Sequence, residues 1–214
     1  MKHLSAVLFA AAVMCAPVAL AQKWEVGVGV GGAFYNSQTF TSSAGNANAS
    51  LGMGFVASAW VGNNPKAHFG GELRYDFGSS DLKLSSGGTT ATFGGVTHAI
   101  HYDIVWHFSS DESSVRPFIA AGAGVKDYVG TGNEIPNQQL QSIGLLTKTS
   151  QITPLISVGG GVKMRIGTRA QLRLEVHDYL TPFPNKVIAP ALGAKGGSGW
   201  LMDFVPMVAI SFAF

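Results

Sequence analysis

Large apolar side chains alternate with small or polar ones along much of the chain. A period of two is the signature of a β-strand whose two faces meet different surroundings. The pattern is longest at the C-terminus, where one face holds only Pro206 and large apolar residues and the other holds smaller residues and a single charge, Asp203. The apolar face consists of Trp200, Met202, Phe204, Pro206, Val208, Ile210, Phe212 and Phe214.

The same alternation predicts eight strands over most of the chain. Each has at least the roughly 9–11 residues that a tilted strand needs to cross a bilayer. The strands are predicted at residues 23–36, 50–62, 68–78, 92–108, 116–129, 153–166, 169–180 and 200–214.

The connections between these strands are alternately short and long. The short ones are NNPKA, SSDESSV and the pair Gly167-Thr168. The long ones, residues 37–49, 79–91, 130–152 and 181–199, are rich in Gly, Ser, Thr, Asn and Gln. Strict alternation places each set at one end of an up-and-down barrel, with short turns in the periplasm and long loops outside. The sequence therefore predicts an all-β protein, an eight-stranded antiparallel up-and-down transmembrane β-barrel.

The N-terminal segment predicts export. Residues 1–21 combine the basic start Lys2-His3, an apolar run at residues 4–14 and the small-x-small triplet Ala19-Leu20-Ala21. The apolar run is shorter than the roughly 20 residues of a membrane-spanning helix. We therefore expect a cleavable signal peptide at residues 1–21 and an outer-membrane barrel domain at residues 22–214. Cys15, the single cysteine, falls in the signal, so no disulfide or thiol chemistry is expected in the mature chain.

Composition indicates a surface that does not face water alone. Charged residues make up 12% of the chain, about half of the roughly 25% typical of soluble domains, and mean hydropathy is +0.24. A bilayer admits only helices or closed barrels, and beyond the signal no apolar run is long enough for a helix. The formal charge is +2 without a basic cluster, so nucleic acid is not an expected partner.

Four stretches carry a family resemblance: RPFIAAGAGV at 116–125, ISVGGGVKMRI at 156–166, LRLEVHDY at 172–179 and the terminal Phe214. The mature chain resembles the eight-stranded outer-membrane barrels of Gram-negative bacteria, typified by the transmembrane domain of outer membrane protein A. The resemblance implies residence in the outer membrane. We also expect a monomer, with the lipid bilayer and lipopolysaccharide as partners. The resemblance also implies insertion by the barrel-assembly machinery, which would read Phe212 and Phe214 as the assembly signal.

Eight strands enclose a space that side chains fill, so no open pore is expected. Charges on the inward face must then pair, because a buried charge without a partner costs several kcal/mol. We expect a salt-bridged plug with Arg74, Arg173 and Glu175 near its centre. The predicted network comprises Glu72, Arg74, Asp76, His101, Asp103, Lys126, Lys163, Arg165, Arg173, Glu175 and His177.

The expected function is a structural or surface-interaction role through the long loops, with residues 130–152 as the first candidate for a contact surface. Lys186 and Lys195 are candidates for contact with lipopolysaccharide phosphates. Three alternatives remain open: a narrow gated channel through the same charges, a lipid-modifying outer-membrane enzyme, and a soluble lipocalin-like barrel with its two faces exchanged.

No catalytic residues, metal site or cofactor are expected. His101 and His107 share a strand face but lie six residues apart, which is about 20 Å along an extended strand. The two imidazoles therefore cannot bind one metal ion without a strong bend in the strand.

Overall fold

The computed structural model describes residues 24–64, 66–134 and 136–214. The predicted signal peptide, with Cys15, lies outside these described residues. No helix within the described segments is long and apolar enough to cross a membrane. The strands are β1 (Trp24–Tyr35), β2 (Gln38–Ser42), β3 (Gly45–Leu51), β4 (Gly54–Asn63), β5 (Phe69–Ser79), β6 (Leu82–Ser86), β7 (Thr89–Phe93), β8 (Gly95–His107), β9 (Val115–Gly130), β10 (Gly144–Leu146), β11 (Ser150–Arg165), β12 (Ala170–Pro182), β13 (Ile188–Pro190) and β14 (Trp200–Ala213).

Eight of these strands close into an antiparallel barrel in the order β1-β14-β12-β11-β9-β8-β5-β4. Closure is made between the first and last strands, where the backbones of Trp24 and Phe214 exchange hydrogen bonds of 3.1 and 2.9 Å. The predicted fold is confirmed, with strand ends shifted by a few residues. Two predicted strands begin later because residues 50–51 belong to β3 and residues 92–93 to β7.

The two faces of each strand meet opposite surroundings. On the outer face, Ile104 is 58% exposed, Leu174 46% and Phe212 49%. On the inner face, Arg173 is 0% exposed and Glu175 3%. Apolar side chains therefore cover the outside of the barrel and charges fill its inside, which excludes the lipocalin-like alternative because that barrel would require the reverse.

The long loops are more regular than the sequence predicts. The first two loops form a four-stranded sheet in the order β2-β3-β6-β7, and β10 pairs with β13 between the other two loops. The two inner strands of the four-stranded sheet, β3 and β6, pair with each other just beyond the barrel strands β4 and β5, which also pair with each other. The β6–β7 hairpin turns at Gly87 and Gly88, whose φ angles of 52° and 83° favour glycine. Short apolar alternations, such as Leu82 and Leu84, build these extra strands.

Candidate functional site

A cluster of six charged side chains fills the middle of the barrel. It contains three carboxylates and three cations, so its formal charge is zero when all six groups are ionised. The groups come from four strands and all are at least 97% buried. The cluster consists of Glu25 on β1, Glu72 and Arg74 on β5, Lys163 on β11, and Arg173 and Glu175 on β12.

Arg173 holds the three carboxylates of this cluster together. Its Nη1 donates to Glu25 Oε1 at 3.0 Å and to Glu72 Oε1 at 2.8 Å. Its Nη2 donates to Glu72 Oε2 at 3.1 Å and to Glu175 Oε2 at 2.7 Å. Hydrogen bonds between ionised groups are stronger than neutral ones, and here they join strands β1, β5 and β12 across the barrel.

Arg74 and Lys163 complete the cross-linking. Arg74 donates to Glu175 Oε1 at 2.7 Å and to Glu72 Oε2 at 3.2 Å. Lys163 Nζ donates to Glu25 Oε2 at 2.7 Å and to Glu72 Oε1 at 3.3 Å. Every cation of the cluster therefore binds at least two carboxylates, and no carboxylate depends on a single partner.

Aromatic rings line the cluster from two sides. The guanidinium carbons of Arg74 and Arg173 lie 4.6 and 4.4 Å from the Trp60 ring centroid, and that of Arg173 lies 4.9 Å from Phe118. Cations favour the faces of such rings. The Trp60 ring occupies the space that a Cβ on Gly27 would need, so an inward glycine on β1 is required there.

A histidine group adjoins the cluster. His101 Nε2 lies 3.0 Å from Asp76 Oδ2, and its Nδ1 lies 3.0 Å from Asp103 Oδ1. Both ring nitrogens can donate at once only when the imidazole is doubly protonated. Tyr179 donates to Asp76 at 2.8 Å, and His177 Nε2 lies 3.7 Å from Glu175 Oε2. Within the described residues, no group of three or more His, Cys, Asp or Glu side chains is arranged to hold a metal ion.

Lys126 forms a separate ion pair with Asp203. Three phenol rings surround the ammonium group, with the centroids of Tyr35, Tyr128 and Tyr179 at 5.4, 5.3 and 5.5 Å from Lys126 Nζ. The pair is buried and lies on the long-loop side of the histidine group. Among the described residues, the Lys126–Asp203 pair is therefore an ionic centre separate from the six-residue cluster.

Ten of the eleven residues predicted for the lumen network are buried in the barrel. The exception is Arg165, which is exposed and donates to the Asp111 backbone carbonyl at a short turn. Arg165 is the last residue of β11, so its side chain lies beyond the end of the packed interior, and its predicted place in the network is wrong. The sequence reasoning also missed Glu25 and Asp203, although the alternation in β1 and β14 places both on the inward face.

A second core, called the cap core below, lies among the long loops. Its apolar side chains come from all four loops and from the adjoining ends of β9 and β14, and Tyr35 packs against it from the barrel interior. Phe40 and Phe183 meet edge to face at 5.7 Å between ring centroids. The buried members are Phe40, Ala47, Ala49, Leu51, Leu82, Leu84, Phe93, Tyr128, Ile143, Leu146, Phe183, Val187, Ile188 and Leu201.

Comparison with known proteins agrees with this architecture. Residues 6–186 match the family described as outer membrane protein beta-barrel domain. The outer membrane protein OprG from Pseudomonas aeruginosa is similar in fold, with a TM-score of 0.60, 12% identity and coverage of 90% of this chain and 97% of OprG. Neisserial surface protein A is also similar, with a TM-score of 0.54, 12% identity and coverage of 89% and 97%. No curated protein sequence matches the chain significantly.

Proposed function

The chain belongs to the outer membrane protein β-barrel domain family, and we propose that its role in the bacterial outer membrane is to present a rigid extracellular surface for interaction. In this proposal the barrel neither transports solutes nor catalyses a reaction. The long loops supply the contact surface, and the barrel anchors them in the bilayer.

The observation that carries the proposal is the balanced ionic cluster. Three carboxylates and three cations bind one another across the barrel, and each contacts at least two partners. A solute path would have to separate groups such as Arg173 and Glu72, which are bonded at 2.8 and 3.1 Å. Breaking a buried ion pair typically costs about 3–5 kcal/mol. A closed lumen is therefore the favoured state.

The cap core supports the same conclusion. It packs apolar side chains of all four long loops together beyond the ionic interior. A packed core fixes the loops relative to one another, which suits recognition of a partner better than passage of a solute.

Conductance across planar lipid bilayers tests the proposal. We expect no discrete channels from the refolded protein or from the control Arg169→Ala, which changes an exposed arginine outside the cluster. Discrete channels from the unmodified protein would refute the closed barrel and favour the gated channel. Channels from Arg173→Ala, with none from the unmodified protein or from Arg169→Ala, would show that the ionic cluster closes the barrel.

Two partners of the membrane environment belong to the same proposal. Lys186 and Lys195 are exposed on the fourth long loop, where ammonium groups can meet lipopolysaccharide phosphates. Phe212 lies half-exposed on the outer face of β14, and Phe214 follows the end of that strand. We propose that these two phenylalanines form the signal that the barrel-assembly machinery recognises during insertion.

A further inference from the structure

The extracellular four-stranded sheet has one covered edge and one open edge. On the covered edge, Thr41 of β2 exchanges backbone hydrogen bonds of 2.7 Å with Lys195 of the fourth loop. On the other edge stands β7, which pairs with β6 only, among the strands that the structure describes. The open edge of β7 is therefore available to a further strand.

The turn geometry fixes which backbone groups of β7 face the open side. In a two-residue hairpin the flanking pair, here Ser86 and Thr89, is hydrogen-bonded, and hydrogen-bonded pairs alternate along the ladder. The pairs made by Thr90 and Thr92 are then the non-bonded ones. Each of these threonines consequently directs one N–H and one C=O away from β6, giving four backbone groups on the open edge.

The open edge lacks the features that usually prevent pairing. Natural edge strands are protected by charged residues, proline or bulges. The sequence of β7, TTATF, has none of these, and threonine and phenylalanine both favour strands. Thr90 and Thr92 are both exposed.

A cleft of about 360 Å³ runs between this edge and the third long loop. Thr90, Ala91 and Thr92 form one wall, Asn137 and Gln139 belong to the other, and Leu146 contributes apolar surface. The adjacent Gln138 already binds backbone as a strand would, donating to the Leu146 carbonyl at 2.8 Å and accepting from its N–H at 3.1 Å. Within the described chain, the Asn137 and Gln139 side chains have no hydrogen-bond partner of their own, so they can serve an added strand.

We propose that this cleft binds an extended, uncharged peptide segment of another protein, which adds to the sheet as a strand antiparallel to β7. The inference rests on the proposed surface-interaction role and names its site and partner chemistry. Backbone groups of the peptide pair with Thr90 and Thr92, and a small apolar side chain lies opposite Ala91. The carboxamides of Asn137 and Gln139 bind the far edge of the peptide.

Membrane geometry excludes a second copy beside the first as the partner. Copies in one bilayer are related by rotation about the membrane normal. Antiparallel pairing of two β7 strands needs a two-fold axis perpendicular to both strands. The sheet continues the barrel walls upward, so that axis lies near the membrane plane and would invert one barrel. A neighbouring copy in the same bilayer therefore cannot add antiparallel to β7, and we assign the peptide to another protein.

Peptide binding to the full mature barrel in lipid nanodiscs tests the proposal. The probe is a fluorescein-labelled peptide copying residues 88–94, GTTATFG, which can pair antiparallel with β7 because a free peptide is not bound by the membrane constraint. Its matched control carries N-methyl groups at the two amides that would face the β7 edge. We expect saturable binding of the probe by fluorescence anisotropy and at least tenfold weaker binding of the N-methylated peptide.

Protein variants locate the bound peptide. Thr92→Pro removes an edge N–H without removing a bond to β6, and Asn137→Trp fills the cleft from an exposed loop. Each should weaken binding at least tenfold. Asn46→Ala, on the same sheet but outside the cleft, should change binding less than twofold. Equal binding by Thr92→Pro and Asn137→Trp, or no saturable binding by the unmodified protein, would overturn the proposal. If the unmodified protein fails to bind the peptide and forms no channels in planar bilayers, only this inference is refuted. If it forms channels, the proposed function is refuted as well.

Discussion

Replacing Arg173 by alanine is the sharpest perturbation of the barrel interior. The guanidinium donates four hydrogen bonds to Glu25, Glu72 and Glu175. In the variant the three carboxylates face only Arg74 and Lys163, so the cluster changes from neutral to a formal charge of −1. An unpaired buried charge typically costs about 3–5 kcal/mol. We expect the free energy of unfolding to fall by that amount.

The assay is equilibrium unfolding by urea from lipid vesicles, followed by tryptophan fluorescence. Arg169→Ala is the matched control because Arg169 is exposed and close by in sequence, and it should lose less than about 0.5 kcal/mol. A double variant, Arg173→Ala with Glu72→Gln, restores a neutral cluster of two carboxylates and two cations. It should be more stable than Arg173→Ala alone by about 1–2 kcal/mol. A loss below about 1 kcal/mol for Arg173→Ala would refute the claim that this arginine holds the interior together.

Three further predictions concern the cap, the lipid face and assembly. Phe40→Ala should destabilise the cap core by about 3–5 kcal/mol and speed trypsin cleavage at the exposed loop lysines, because the loop backbone opens more often, while the barrel strands stay protected; an unchanged cleavage rate would contradict a packed cap. Leu174→Arg places a charge on the lipid face and should cost about 2–4 kcal/mol in urea unfolding, whereas Leu192→Arg on a fully exposed loop should cost almost nothing. Phe214→Ala should slow insertion by the purified assembly machinery, measured by heat-modifiable gel mobility, more than Phe69→Ala, which changes a half-exposed phenylalanine elsewhere in the barrel; equal rates would contradict a terminal assembly signal.

The transmembrane strands were predictable because one physical rule governs each of them. Hydrocarbon outside and a packed interior within impose a period of two over the whole strand length, so Arg173 and Leu174 already reveal their opposite directions in the sequence. The same rule assigns Glu25 and Asp203 to the interior. Each is the lone charge among glycine and apolar neighbours in its strand, and such isolated charges are easily overlooked beside the charged run of β12.

The pairing of these charges could not be read from the sequence. Arg74 and Glu175 are 101 residues apart, and Lys163 and Glu25 are 138 apart. Which carboxylate meets which cation depends on the stagger of strands around the closed barrel, and a shift of two residues in one strand changes the partner without changing the alternation. Arg165 illustrates this limit, since its position past the barrel end depends on where β11 stops.

The loop structure depends on contacts between distant segments. Phe40 and Phe183 belong to different loops; Phe40 lies among polar residues in sequence and Phe183 lies between two prolines. Short alternations of four or five residues carry a weak strand signal by themselves. They become strands because neighbouring loops supply the other half of the cap core, and that assembly also leaves one edge of β7 without a partner.

Quenching of tryptophan by brominated lipids tests the central claim most directly, because it reports which side of the barrel wall meets hydrocarbon. Trp60 is 3% exposed and faces the ionic cluster, whereas Val61, one residue along β4, is 47% exposed on the outer face. Two single-tryptophan proteins are compared, one retaining only Trp60 and the other carrying Val61→Trp with the native tryptophans replaced by phenylalanine. We predict strong quenching for Val61→Trp and almost none for Trp60. Strong quenching of Trp60 with little at position 61 would show that the apolar face lies inside the barrel and would contradict the account.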